Sequence, residues 1–267
     1  MSVRFVRFAS SFIFAVTDSS SHVVRRITGP ITAGMQRVSW DLRYPAPSLP
    51  PPPNPEGEDP FNEGPAGPLV MPGTYKVSVA KRVDGVVTPL GQTQEFQVIV
   101  EGQEGMVASD RAALVEFQQK VARLQRAVTG ALEASNALKP RLAAIRRALL
   151  DTPSAPEQLL NDASTLDKRT NEILRALRGD NALRARNMNL PPSIAERVGS
   201  IAQSQRTSTA RPTQTQMNQY AVAAQDFDQT LGQLRQLIEV DLAKLEKQME
   251  AAGAPWTPGR IPEWKDQ

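Results

Sequence analysis

Few side chains in this sequence can do covalent chemistry, and their spacing keeps them apart. The 267 residues include one histidine, His22, and no cysteine. No thiolate can act as nucleophile or metal ligand, no disulfide can form, and one imidazole cannot supply the paired histidines of a zinc site. His22 follows the polar run Asp18-Ser-Ser-Ser21, which suits a turn, and a Ser-His-Asp triad would rest on that single ring. The phosphate-cradling G-x-x-x-x-G-K-[ST], the dinucleotide turn G-x-G-x-x-G and the zinc motif H-E-x-x-H do not occur. The carboxylates are numerous enough for the acid pair of a glycosidase. However, Asp18, Asp41, Asp84 and Glu95 fall at strand ends or on outward faces, and Glu56, Glu58, Asp59 and Glu63 fall in a proline-rich stretch. Such a stretch does not hold two carboxylates at a fixed separation. No catalytic residue, metal ligand or cofactor site is therefore assigned.

Recognition chemistry is better represented. The tail Gly253-Ala-Pro-Trp-Thr-Pro-Gly-Arg-Ile-Pro-Glu-Trp264 sets Trp256 and Trp264 on either side of Arg260. Such rings either dock on the protein's own surface or anchor a neighbouring domain or subunit. The 8 Phe, 3 Trp and 3 Tyr are too few for a large aromatic-walled cleft. Arg123, Arg126, Arg141, Arg146 and Arg147 could form a nucleic-acid stripe. Interleaved acids and a net charge of only +3 favour solvated helix faces instead, so no nucleic-acid partner is expected. Asp110–Arg147 holds 8 basic and 3 acidic residues, and Tyr220–Glu250 holds 3 and 6. An acidic last helix should therefore pair with basic earlier ones.

The elements that must position these groups change character near Gly102. Before it, apolar residues alternate. Phe12–Thr17 and Val23–Thr28 read as a hairpin, with Phe12, Phe14 and Val16 on one face. Met35–Arg43 reads as a strand with Val38, Trp40 and Leu42 on one face, and Thr74–Lys81 as another with Tyr75, Val77 and Val79 inward. Asp84-Gly85 is a tight turn leading to Val86-Val87, and Gln94–Val100 closes the series. Six or so short strands predict an immunoglobulin-like β-sandwich over residues 1–101. Trp40 should anchor its core, and Pro72-Gly73 should turn the chain into the Tyr75 strand. Tyr44–Pro72 holds half of the 22 prolines and reads as a surface loop. Its Pro50–Pro53 run suits a stiff polyproline connector.

After Gly102 the period is helical. Leu114, Phe117, Val121, Leu124, Val128, Ala131, Ser135, Leu138, Leu142, Ile145 and Leu149 form one seam at 3-4 spacing. Pro140 should kink that helix, and Ser109 should cap it. Ser154-Ala-Pro-Glu157 and Ser193-Ile-Ala-Glu196 read as capping boxes. Helices are expected near 109–151, 155–178, 193–205 and 213–252, forming an antiparallel bundle, with an extended tail over 253–267. In the last helix the seam is Met217, Tyr220, Ala224, Phe227, Leu231, Leu234, Ile238, Leu242, Leu245 and Met249. Its two successive four-residue steps, Leu234 to Ile238 to Leu242, shift the heptad phase. The chain is α+β and multidomain. No apolar run approaches the ~18 residues of a membrane-spanning helix. The patch Phe8–Val16 reads better as a strand than as a leader, because two serines interrupt it and no clean cleavage site follows.

Three segments together resemble a known family. They are Val23-Val-Arg-Arg-Ile27 with Gly34-Met-Gln-Arg-Val-Ser-Trp-Asp-Leu-Arg43, then Gly67-Pro-Leu-Val-Met-Pro-Gly-Thr-Tyr-Lys-Val77, and the Gly253–Trp264 tail. They resemble the C-terminal end of large bacterial exported proteins built on sortilin-like BNR-repeat β-propellers, often labelled glycosyl hydrolase or sialidase-like. In that family an immunoglobulin-like module, akin to the flagellar hook-cap type, follows the propellers and precedes a helical segment. The resemblance covers almost all of this chain but only the last part of a family member. It implies a non-catalytic accessory module, a propeller domain or neighbouring subunit as partner, and an extracytoplasmic location. No S-x-D-x-G-x-x-W Asp-box occurs here, so the chemistry in the family label belongs to the propeller and no catalytic residue is carried over. A family member would have a strand before Phe12. Its absence would leave Phe12 and Phe14 on an exposed apolar edge, open to a partner. Two other readings stay open: a carboxylate-based glycoside hydrolase, and a glycan- or peptide-binding module using the tryptophan tail.

Overall fold

The computed structural model describes residues 10–47, 66–101, 107–206 and 210–261. It is α+β, with a four-stranded antiparallel sheet followed along the chain by helices. Two compact units make it up: Met1–Ala122 with Ser208–Pro212, and Arg123–Thr207 with Thr213–Gln267. The division falls inside the first helix rather than near Gly102.

In the first unit, β1 (Ser11–Thr17) and β2 (Val23–Gly29) form a hairpin. The Asp18 carboxylate closes its turn by accepting from the Ser20 and His22 N–H groups, each at 2.9 Å. β3 (Gly73–Val83) pairs with β1, and β4 (Val86–Val98) pairs with β3, giving the order β2-β1-β3-β4. Asp84 and Gly85, at φ 53° and 82°, supply the two left-handed residues that a two-residue hairpin turn requires. Val86-Val87 and Gln94–Val98 belong to this one long strand, with Pro89 tolerated because β4 is an edge.

The strand expected at Met35–Arg43 is absent. Its backbone curls: Leu42 sits at φ 56°, the Asp41 carboxylate accepts from Arg43 N–H at 3.1 Å, and the Trp40 indole donates to the Arg43 carbonyl at 3.1 Å. Val38 and Trp40 are half-buried but Leu42 is exposed, so the alternation there marks no strand face. Trp40 packs edge-on to Tyr75 (5.6 Å between centroids) and Phe96 (6.2 Å), beside the buried Val16, Val24 and Val70. Tyr75 donates to the Met71 carbonyl at 2.6 Å. Burial, with the charges of Tyr44 and Asp18 adding to it, pushes its pKa up to about 12, so it remains a donor. The proline-rich segment is tied at its neck: Tyr44 N–H donates to Pro68 and Val70 N–H to Leu42, each at 2.9 Å. Gly67 lies against this neck, where a Cβ would come 2.1 Å from the Tyr44 carbonyl oxygen. The Pro50–Pro53 run lies outside the described residues.

α1 (Ala108–Leu150) runs unbroken through Pro140, whose ring faces solvent. Every seam position expected from Leu114 to Leu149 is buried. Ser109 is not its cap. The helix opens one residue earlier, with the Val107 carbonyl accepting from Asp110 and Arg111. α2 (Glu157–Arg178) buries Leu159, Ala163, Leu166, Ile173 and Leu177 as expected, but Ser154 does not cap it. That hydroxyl donates to the Ala252 carbonyl at 2.8 Å instead. α3 (Asn181–Arg184) is a single turn capped by Asp180. α4 (Ile194–Arg206) carries the Ser193–Glu196 capping box. α5 (Gln214–Arg235) opens on a second box, Thr213 with Gln216. It continues through a π-helical turn, Gln236–Leu242, into α6 (Ala243–Ala251). The seam of this last helix differs from the expected one: Ala223, Phe227, Thr230, Leu234 and Leu237 are buried, whereas Met217 is exposed.

Candidate functional site

The second unit holds the tail that the sequence singles out. Arg141 on α1 grips Glu246 on α6 as a fork, with Nε at 3.0 Å and Nη2 at 2.7 Å and 2.9 Å. Paired donors of this kind fix orientation as well as charge. The same guanidinium donates to the Gly259 carbonyl at 3.4 Å, so one arginine holds both the last helix and the chain that leaves it. That chain turns at Gly253 (φ 70°) and buries Ala254 and Thr257. Trp256, between them, is 44% exposed. The Arg260 guanidinium lies 4.4 Å from its ring centroid and donates to the Pro255 carbonyl at 3.3 Å. A cation over an indole at an exposed site contributes ~0.5–1 kcal/mol. Arg260 Nη2 and Thr257 Oγ1 are buried with no hydrogen-bond partner. The backbone of the tail is thus docked on the unit's own surface, while the capped indole faces water.

The structure brings Trp256 and Arg260 together, and Trp264 lies outside the described residues. Phe12 and Phe14 do not form an edge. β1 is an interior strand, with Phe14 opposite Ile27 on one side and Val79 on the other. Both rings are half-buried, and the edges are β2 and β4. Tyr75 stands in the core of the first unit and Trp40, partly buried, packs against it, with Pro72 leading into β3 at Gly73. The residue that sequence reasoning missed is Arg141, read there as one of a row of surface arginines. The available signal was the opposite charge of α1 and the last helix.

Several carboxylates of this unit are committed to structure. Asp167 takes Lys139 at 2.7 Å, and Asp241 takes Arg169 at 2.5 Å. Glu196 pairs with Arg184 and accepts from Ser193 N–H at 2.7 Å. The Arg184 guanidinium, followed by the Ser193 groups, lowers its pKa to about 2. Asp180 accepts from the Leu183 and Ala182 N–H groups and pairs with Arg175, which together hold it below its ordinary value. A cavity of about 320 Å³ at the end of α2 has Asp180 as its one carboxylate, between Arg175, Arg178 and Asn181. Among the described residues no group of His, Asp and Glu is arranged to hold a metal ion, and no helix is long and apolar enough to cross a membrane. No family model, curated protein or solved structure matches the chain.

Proposed function

We propose that the chain is a non-catalytic accessory module that holds a neighbouring domain or subunit, through the Pro255–Arg260 tail, in an exported assembly. On this reading the sheet unit is an immunoglobulin-like sandwich module and the helical unit an antiparallel bundle. The partner is a sortilin-like BNR-repeat propeller, as the resemblance of the Trp40, Pro72-Gly73-Thr-Tyr75 and Trp256 segments implies. The observation that carries the proposal is the Trp256–Arg260 pair, held toward solvent on a backbone already fastened by Arg141. Tryptophan and arginine are the side chains that most often dominate interfaces, and prior fixing lowers the entropy lost on binding. The ion pairs made by Asp167, Asp241, Glu196 and Glu246 fit a holding role.

The test is binding of the full chain to a sortilin-like BNR propeller by calorimetry. Trp256→Ala should weaken it by about tenfold or more, or ~1.4 kcal/mol. Undiminished binding by Trp256→Ala, no binding by the wild type, or glycoside turnover that survives repurification would each overturn the reading.

A further inference from the structure

The last helix carries two apolar seams along one stretch of chain. The buried seam runs Ala223, Phe227, Thr230, Leu234 and Leu237, then Leu242, Leu245 and Met249. Its step from Leu237 to Leu242 spans five residues, and the π turn Gln236–Leu242 absorbs it, because i→i+5 bonding takes one more residue per turn than an α-helix. The second seam substitutes Leu231 for Thr230 and Ile238 for Leu237, reaching Leu242 in two four-residue steps. Those steps exceed two α-helical turns by only about 0.8 residue, so this seam needs no π turn. Phe227 and Leu234 serve both. Leu231 and Ile238 are already half-buried beside the seam in use. The seam in use includes a hydroxyl, tolerated because Thr230 Oγ1 donates to the Asp226 carbonyl at 2.8 Å.

Two contacts clasp the π form. Gln236 Nε2 donates to Asp241 Oδ1 at 3.3 Å, a side-chain staple across five residues of the turn. Arg169 on α2 takes the other oxygen of the same carboxylate at 2.5 Å. The α form would also bring Asp228 and Arg235, now exposed, toward the flank of the seam, which favours the π form at rest. We infer that this turn is a register switch: releasing the Asp241 clasp lets residues 236–242 relax to α-helix. Leu231 and Ile238 then replace Thr230 and Leu237 on the buried face. The buried face then turns by roughly half of the ~100° that separates neighbouring residues, which keeps Phe227 and Leu234 on it and gives the outer face of α5 two presentations. The inference does not depend on the tail's role.

The chain contains no cysteine, so single cysteines introduced in the full chain report burial without background. Thr230→Cys, Leu231→Cys and Ile238→Cys are labelled with a thiol reagent in the presence and absence of Asp241→Ala. The expected result is that Asp241→Ala speeds labelling at position 230 and slows it at 231 and 238, each by about tenfold. Deletion of Val240, half-exposed inside the turn, shortens the step from Leu237 to Leu242 to four residues, which an α-helix accommodates with the present seam, so in the deletion variant position 230 should stay protected. Persistent protection at position 230 in Asp241→Ala overturns the switch, whether or not the deletion variant folds.

Discussion

Glu196 does three jobs with two oxygens: it completes the Ser193 capping box, pairs with Arg184 and ties the short α3 turn to the start of α4. Its pKa falls from 4.5 to about 2 in the fold. The stabilisation is therefore complete above the ordinary carboxylate value and is lost as pH drops from 4.5 toward about 2. Glu196→Gln should lower stability in urea melts at pH 7 by about 1 kcal/mol or less, since the pair is partly screened by solvent. The gap should close near pH 2, and a gap independent of pH would show that the carboxylate charge does not cause it. This box was legible because its partners are three residues apart. Ser154-Ala-Pro-Glu157 has the same local pattern, yet Ser154 spends its hydroxyl on Ala252. A partner that distant in sequence leaves no trace in local spacing, and the same is true of the Gly259 carbonyl that Arg141 holds.

Among the elements, α1 was legible almost to the residue because 3-4 spacing of apolar side chains admits one buried face. Pro140 is its one misfit: it lacks an N–H for the helical ladder and its ring crowds the preceding turn. Pro140→Ala, at an exposed position, should raise the thermal midpoint by an amount equivalent to about 2 kcal/mol. A variant no more stable than the wild type would mean that the helix has already relaxed around the ring. In the last helix Phe227 and Leu234 are buried as expected, but Ala223, Thr230 and Leu237 take the places expected of Ala224, Leu231 and Ile238. Leu231 and Ile238 continue the apolar period as well as Thr230 and Leu237 do, and periodicity cannot register a single inserted residue. The doubled four-residue step was the trace the insertion left. Met35–Arg43 failed for a different reason: Val38, Trp40 and Leu42 do alternate, but a left-handed Leu42 and the Asp41 turn take the backbone out of any ladder.

At the scale of the whole molecule, the joint between compact units lies within a continuous helix, a place where composition does not change. The tail's attachment is equally non-local, and it depends on Arg141. Arg141→Ala should accelerate tryptic cleavage after Arg260 by about tenfold, a loss of ~1.4 kcal/mol of tail docking. Unchanged cleavage would mean that Ala254 and Thr257 hold the tail by burial alone. The hydrogen-bonded neck between Leu42–Tyr44 and Pro68–Val70 bears on how this protein can diverge. With the two rims already clasped, adding residues between them raises the closure cost only as the logarithm of the length, about 0.6 kcal/mol per doubling. Selection can therefore lengthen or shorten the chain between the rims while β1 and β3 keep their register.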